Sequence, residues 1–233
     1  MNAPALLRTQ IETRIPAAFH VISRPEPKYL QTGIGSIDDL VGGVPLSALT
    51  EVYGSHTASS GKTSMLTSLL AHSTQEHFCA LVDASDSFDP ATGLLAGSDL
   101  SKLLWVRCGK TKQKLIPLEQ AFKVTDMLLQ SGGFGLIVVN LSNIPERSVR
   151  SIPVSTWFRF SRVVEKQPTA LVFIEQNPHA TSCAGLVLNI KTRPIDLSGN
   201  LLTHLNFDVE VTRTFKKPIQ TAKPIFLISA KWA

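Results

Sequence analysis

The chain of 233 residues lacks any long uninterrupted apolar run. Its longest apolar stretches, such as residues 136–139 and 170–174, fall far short of the roughly 20 residues that a membrane-spanning helix needs. The N-terminus carries Arg8 and Glu12 and has no sustained apolar segment, so we do not expect a secretory signal. These features predict a cytoplasmic protein without a membrane span.

Cysteine is also scarce. Cys79, Cys108 and Cys183 are an odd number, and no CxxC pair or accompanying histidine spacing occurs. That pattern argues against a disulfide framework and against a zinc site. It predicts reduced, partly buried thiols.

Acidic residues are in the minority, and the net charge is +5. The chain from residue 191 onward carries seven basic residues against three acids, and Arg107, Lys110, Lys112 and Lys114 form a second cluster without an acid. Such clusters suit nucleic-acid phosphates, an acidic protein partner or a solvated face. For the C-terminal region we predict weak, salt-sensitive DNA binding through residues such as Arg213, Lys216 and Lys217.

Two regions of different character make up the chain. Residues 1–28 combine a short amphipathic stretch with a proline-punctuated connector, which predicts a helical arm and a linker before a core at residues 29–233. In the core, apolar runs alternate with helical patterns, as in βαβ units. Predicted strands cover residues 49–53, 78–83, 103–107, 136–140 and 170–175, and predicted helices cover residues 63–72, 118–129 and 155–166.

The alternation predicts an α/β fold with a mostly parallel twisted sheet flanked by helices. Beyond Gln176 the pattern changes to strand-like runs at residues 186–191, 207–214 and 225–229, with no helices between them. We expect these runs to be antiparallel strands that extend one edge of the sheet.

A phosphate-binding loop is the sharpest local signal. The run SSGKT at residues 59–63 follows a strand that ends at Tyr53 and opens a helix, which is the context a P-loop requires. Backbone N–H groups and the helix start attract phosphate, Lys62 can neutralise its charge, and the Thr63 hydroxyl can ligate Mg²⁺. The predicted binding residues are Gly54, Ser59, Ser60, Gly61, Lys62, Thr63 and Ser64.

The spacing of this loop departs from GxxxxGK[ST]. His56 stands where that pattern has its first glycine, and the nearest upstream glycine is Gly54, which gives a loop two residues longer. The additional residues either bulge outward and leave the anion site intact or deform it.

The amino-acid sequences of several segments between Tyr29 and Lys217 resemble motifs of the RecA family of recombinases. Residues 32–38 (TGIGSID) and 42–45 (GGVP) resemble its TGS-x-x-LD and GGLP. Residues 51–63 (EVYGSHTASSGKT) resemble EIYGPESSGKT with two residues inserted. Residues 82–90 (VDASDSFDP) are similar to IDAEHALDP, and residues 173–176 (FIEQ) are similar to FINQ. The order and spacing of the segments agree as well.

The resemblance implies a RecA-like P-loop NTPase core that binds ATP with Mg²⁺. It places Lys62 and Gln176 among the catalytic residues, because Gln176 stands where the family senses the γ-phosphate and signals to its DNA-binding loop. Asp89, in the match to LDP, stands where the family contacts adenine.

Two departures from the family fall on the chemistry. Ser85 replaces the carboxylate that activates the attacking water, and a serine is not a general base near neutral pH. Asn140 replaces the Walker B aspartate, which removes a negative charge that helps to retain Mg²⁺. We expect nucleotide binding to survive and hydrolysis to be weak or absent.

The segments that bind DNA in the family are reduced, because only residues 177–185 separate Gln176 from the next predicted strand. A filament that stretches single-stranded DNA is therefore not expected. A short, catalytically eroded RecA-like core is similar to the ImuA-type accessory proteins of bacterial translesion mutagenesis, and residues 104–108 (LWVRC) are similar to that group. That resemblance implies DNA repair in the SOS response, with an ImuB-like polymerase homologue and RecA as partners.

Three functions stay open at this point. The chain is an adaptor that binds ATP and docks partner proteins, or a DNA-dependent ATPase and strand-exchange enzyme in which Asp86 or Glu175 replaces the missing base. The third is a regulator that caps or inhibits RecA filaments by presenting a RecA-like surface without the loops needed for propagation, with the N-terminal arm as the part that reaches a neighbouring protomer. Whether the chain forms an oligomer is also open.

Overall fold

The computed structural model describes residues 27–54, 61–109, 116–192, 196–198, 201–214 and 225–231. The predicted N-terminal arm and most of its linker lie outside these residues. In chain order the elements are β1 (Tyr29–Leu30), α1 (Gly35–Val41), β2 (Val44–Pro45), β3 (Ala48–Gly54), α2 (Lys62–Glu76), β4 (Cys79–Asp83), α3 (Pro90–Leu95), β5 (Leu103–Arg107), α4 (Pro117–Ser131), β6 (Leu136–Asn140), α5 (Glu146–Arg150), α6 (Val154–Val164), β7 (Ala170–Glu175), β8 (Ala184–Thr192), β9 (Asp196–Ser198), β10 (Leu201–Thr214) and β11 (Ile225–Lys231).

One large sheet organises the molecule. Its strands follow the order β5-β4-β6-β7-β3-β8-β10-β11, with β9 paired to β10. The first six strands are parallel, and β10 pairs antiparallel with β8, β9 and β11. Helices cover both faces of the parallel part, so its central strands are buried and mostly apolar. The predicted α/β fold is confirmed.

β8, β10 and β11 pair antiparallel with one another as predicted, but the orientation of β8 relative to the rest of the sheet differs from the prediction. We expected an antiparallel strand there, whereas β8 runs parallel to β3, with Leu49 opposite Ala184 and Val52 opposite Leu188. Because β7 and β8 flank β3, residues 176–183 must return from the end of β7 to the start of β3 without an α-helix. Such crossovers ordinarily contain a helix and a dozen or more residues, so the sequence gives no βαβ pattern here.

Two apolar layers enclose the sheet. The face covered by α4 and α6 holds an aromatic cluster of Phe122, Trp157, Phe160 and Phe173, with the rings of Trp157 and Phe173 4.9 Å apart. The face covered by α1 and α2 is mostly aliphatic and includes Met65, Leu69 and Leu70. The helices predicted at residues 63–72, 118–129 and 155–166 are present as α2, α4 and α6 and contribute buried apolar side chains to these layers.

Local signals explain where the helices begin and end. Pro117 occupies the first turn of α4, where a missing N–H costs nothing, and Gly132 follows its last residue with a φ of 65°. Asp89 caps α3 by accepting hydrogen bonds from the N–H groups of Ala91 and Thr92. Within the described part of the chain, no helix has the length and apolar character that crossing a bilayer requires.

The aromatic cluster gives a stability prediction. Trp157 is 1% exposed, whereas its neighbour Phe158 is 43% exposed. We expect Trp157→Ala to lower the free energy of unfolding by about 3–5 kcal/mol because it leaves a core cavity. Phe158→Ala, the matched control, should cost less than about 1 kcal/mol. Chemical denaturation measures both, and equal losses would contradict the packing described here.

Candidate functional site

Lys62 lies where the carboxyl ends of two parallel strands meet the start of a helix. Gly54 is the last residue of β3, Glu175 is the last residue of β7, and Lys62 is the first residue of α2. The Lys62 Nζ donates to the carbonyl oxygens of Gly54 and Glu175 at 3.1 and 3.2 Å. Burial lowers the pKa of Lys62, and the side chain is 6% exposed. Carboxyl ends of parallel strands are the usual location of ligand sites in such sheets.

Gly61 makes the turn into α2. Its φ of 74° is left-handed, and a Cβ there would lie 2.4 Å from Cε1 of Phe207 on β10. Both constraints require glycine. Thr63 is exposed and Ser64 is partly buried in the first turn of α2. Ser59, Ser60 and the additional residues around His56 lie outside the described residues, so their roles stay predictions.

Asn140 is locked into a buried polar network at the ends of β4 and β6. Its Nδ2 donates to Oδ1 of Asp83 at 3.1 Å and to Oγ of Ser87 at 3.0 Å, and its Oδ1 accepts from the N–H of Ser142 at 3.2 Å. The other Asp83 oxygen, Oδ2, accepts from the N–H groups of Ser87 and Phe88. The Asp83 carboxylate is therefore engaged in holding the turn after β4.

Ser85 connects the turn after β4 to the loop after β6. Its Oγ accepts from the N–H of Asn143 at 3.0 Å and donates to the carbonyl of Asn140 at 3.3 Å. Gln176 contacts the same loop, because its Nε2 donates to the carbonyls of Ser142 and Ile144 at 3.0 and 3.1 Å. The structure thus brings Lys62, Ser85, Asn140 and Gln176 to one edge of the sheet, joined through short loops.

The carboxylate of Asp89 is hydrogen-bonded to the first turn of α3. Its carboxylate accepts from the Thr92 hydroxyl at 2.5 Å and from the N–H groups of Thr92 and Ala91. The hydrogen bond from the Thr92 hydroxyl, followed by the two backbone hydrogen bonds, lowers the pKa of Asp89. The side chain is exposed and caps α3, and its adenine contact stays a prediction.

Two acids, Glu51 and Glu175, lie beneath α6, on the face of the sheet opposite to the one that α2 covers. Glu51 is fully buried, and its Oε1 accepts from the N–H groups of His179 and Ala180, each at 2.6 Å. Glu175 is 1% exposed, and its Oε2 lies 2.7 Å from Nδ1 of His179. Sequence reasoning did not find Glu51 and His179 as site residues; the signal was an acid inside an otherwise apolar strand.

The two replacement bases considered from the sequence both have partners. Asp86 accepts from Nε of Arg107 at 2.7 Å, and the carboxylate of Glu175 is bonded to His179 on the α6 face. Arg107 also lies 4.8 Å above the Trp105 ring.

The basic regions are described only in part. Lys191 pairs with Glu210 at 2.6 Å, and Arg213 is exposed. The remaining predicted DNA-contact residues, Lys216 and Lys217, lie outside the described residues, and so do Lys110, Lys112 and Lys114.

The Asn140 network yields a charge test. Asn140→Asp places a second carboxyl against Asp83 and removes two donated hydrogen bonds, so we expect the unfolding free energy at neutral pH to fall by roughly 1–3 kcal/mol. The repulsion raises the pKa of the introduced carboxyl, so the loss should shrink as pH falls and protons are bound. Asn143→Asp, at an exposed position of the same loop, is the control. A loss that is independent of pH would contradict this reading.

Comparison with known proteins supports the family resemblance. The family model of the RecA N-terminal domain matches residues 27–147, which is more than half of the chain. Proteins named Protein RecA from Ectopseudomonas oleovorans and Psychrobacter cryohalolentis are 36% and 35% identical over 101 residues, or 43% of this chain and 26% of each relative. Protein RecA of Ruegeria pomeroyi is 34% identical over the same length.

The match thus spans about a quarter of the length of these curated relatives. The matched range contains β3, the Lys62 helix and the strand that ends at Asn140, and the sheet around them is the one that the resemblance implied. The chain belongs to the RecA N-terminal domain family.

Proposed function

We propose that this RecA-family chain is an accessory protein that binds ATP with Mg²⁺, hydrolyses it slowly or not at all, and acts in the DNA damage response. In this role it is an adaptor for an ImuB-like polymerase homologue and for RecA in translesion repair. The single observation that carries the proposal is the contrast between a preserved phosphate-binding lysine and neutral side chains at both hydrolytic positions.

The binding half of the proposal is supported by the geometry around Lys62. A buried ammonium at a helix start, next to a left-handed glycine, is the arrangement that attracts a polyphosphate. The lowered pKa of Lys62 reflects the cost of keeping its charge away from water. A phosphate group near this ammonium would offset that cost. Thr63, exposed in the first turn of α2, is the residue that would reach Mg²⁺.

The weak-hydrolysis half is supported by the side chains of Ser85 and Asn140. Ser85 has no carboxylate, and its hydroxyl is engaged with Asn143 and Asn140. Asn140 is neutral and is held by Asp83 and Ser87. General-base catalysis contributes roughly 10²–10⁴-fold to a rate, so its loss is enough to convert a fast ATPase into a slow one.

The adaptor role draws its support from the resemblance of residues 104–108 to the ImuA-type proteins and from the position of Gln176. Because Gln176 holds the loop after β6 through two carbonyls, a nucleotide that draws this side chain away would release that loop. A partner that contacts the loop would then sense the nucleotide.

Calorimetric titration with ATP and Mg²⁺ tests the binding half. Removal of the ammonium in Lys62→Ala should weaken binding by about 10- to 100-fold, the value of a charge-assisted hydrogen bond. Lys123→Ala, which removes an exposed lysine of α4, should leave the affinity unchanged. Equal affinities of the Lys62 variant and the native chain would refute the proposed site.

A steady-state ATPase assay with and without single-stranded DNA tests the hydrolysis half. We expect turnover roughly 10²-fold or more below that of an active RecA, because the base is missing. Robust DNA-stimulated turnover that Lys62→Ala abolishes would instead establish that the chain is a DNA-dependent ATPase. It would refute the proposal that the chain is an adaptor with weak or absent hydrolysis.

A further inference from the structure

A continuous series of contacts joins the buried acids beneath α6 to the lysine of the proposed nucleotide site. We propose that His179 and Glu51 are positioning residues for Lys62, and that loss of the proton shared by His179 and Glu175 releases the lysine. This inference rests on the proposed function and concerns the regulation of the same site.

The series begins with the return of the chain after β7. Glu51 is in the middle of β3, and its Oε1 binds the N–H groups of His179 and Ala180 as residues 176–183 pass across this strand. These hydrogen bonds satisfy two backbone donors that a helix would otherwise have satisfied within itself. They fix the backbone of His179 relative to the sheet.

The His179 ring completes the connection. Its Nδ1 lies 2.7 Å from Oε2 of Glu175, four residues earlier in the chain. The carbonyl of the same Glu175 accepts from Lys62 Nζ at 3.2 Å. A displacement of the Glu175 side chain therefore moves the end of β7 and with it one of the two carbonyls that hold the lysine.

Glu51, Glu175 and His179 form a buried acid–histidine cluster, which contains two acids and one base. Glu51 and Glu175 are diagonal neighbours on adjacent strands and face the same side of the sheet, with Glu51 opposite Phe173 and Tyr53 opposite Glu175. Glu51 Oε2 and Glu175 Oε1 are buried and accept no hydrogen bond from the described part of the chain. Two adjacent buried carboxylates repel each other, which favours retention of a proton by the cluster.

The pKa values of all three residues are raised, as this geometry leads us to expect. Burial, and secondarily the charge of Glu51, raises the pKa of Glu175 to about 7. Burial also raises the pKa of Glu51. Burial acts to lower the pKa of His179, but the hydrogen bond that its Nδ1–H donates to Glu175 and the nearby carboxylates outweigh it, so that pKa is raised.

Charged and titratable groups on neighbouring elements also act on the cluster. Glu146 of α5 raises the pKa of His179, and Arg213 of β10 acts to lower that of Glu51. Cys183, at the end of the return segment, has a pKa raised by burial and by Glu51. Within the described residues, no group of three histidine, cysteine or acidic side chains is placed to hold a metal ion.

The sign of the pH effect follows from linkage. Because the folded-state pKa values of Glu175 and His179 exceed their ordinary values of 4.5 and 6.5, the folded cluster holds its proton more tightly than the unfolded chain does. Its contribution to stability is complete at low pH and is lost as pH rises through about 7. Once Glu175 and His179 have both lost their protons, two unneutralised carboxylates remain in the cluster, and the restraint on Lys62 weakens.

The first experiment uses the full chain without nucleotide. The ¹³Cε resonance of Lys62, assigned by its disappearance in Lys62→Ala, is followed against pH in the native chain and in Glu175→Gln. We expect a shift with a midpoint near that of the cluster in the native chain and its loss in Glu175→Gln, an isosteric change. In Glu51→Gln, whose amide oxygen can still accept both N–H groups, the midpoint should move to lower pH. The inference is overturned if the Lys62 resonance does not shift with pH in the native chain, or if it shifts with the same midpoint in Glu175→Gln.

The second experiment measures the affinity for ATP with Mg²⁺ below and above the pH at which the cluster loses its proton. Between about pH 6 and pH 8.5, the affinity of the native chain should fall roughly tenfold relative to Glu175→Gln. Taking the ratio cancels the titration of ATP and Mg²⁺ themselves, and His72→Ala, an exposed histidine of α2, serves as a control that should behave like the native chain. A constant ratio with normal binding defeats the positioning inference and leaves the proposed function intact. A native chain that binds no ATP at any pH defeats the proposed function, while the lysine resonance still decides the positioning inference.

Discussion

The contact on which the rest of the structure depends is the one between the Lys62 ammonium and the carbonyls at the ends of β3 and β7. It requires a parallel sheet in which both strands end at the same level, and a glycine that starts α2 directly above them. Phe207 restricts Gly61 from the far side. Because an ammonium in a largely buried position is costly without partners, the sequence has to provide its acceptors from the backbone.

The edge of the sheet next to Lys62 carries neutral side chains at the two positions where the resemblance to the RecA family predicts carboxylates, and both side chains have structural hydrogen-bond partners. In a P-loop enzyme, the ends of the strands next to the phosphate loop present free carboxylates. Here an amide and a hydroxyl occupy those positions, and Asp83 is engaged by the turn after β4. The edge is therefore held by hydrogen bonds to the Asp83 carboxylate and from the Asn140 amide, which agrees with the proposed role of a protein that holds a nucleotide more than one that turns it over.

Much of the fold could be predicted from the sequence because β4, β6 and β7 are buried on both faces and so read as short apolar runs. Lys62 and its helix could be predicted because the phosphate loop is a local motif. The orientation of β8 could not, since residues 176–183 cross the sheet without the helix that marks a crossover. The contact between Phe207 and Gly61, and the pairing of Glu51 with the backbone of His179, join residues more than a hundred positions apart and leave no local pattern.

The central claim is that a triphosphate binds at Lys62 and is retained. A crystal structure of the chain with a non-hydrolysable ATP analogue and Mg²⁺ tests it most directly. We expect phosphate oxygens next to the backbone N–H groups at Gly61, with the ammonium of Lys62 held by the two strand-end carbonyls and its third N–H donated to a phosphate oxygen. An analogue bound elsewhere, with no phosphate oxygen within hydrogen-bond distance of Lys62 Nζ, would contradict it.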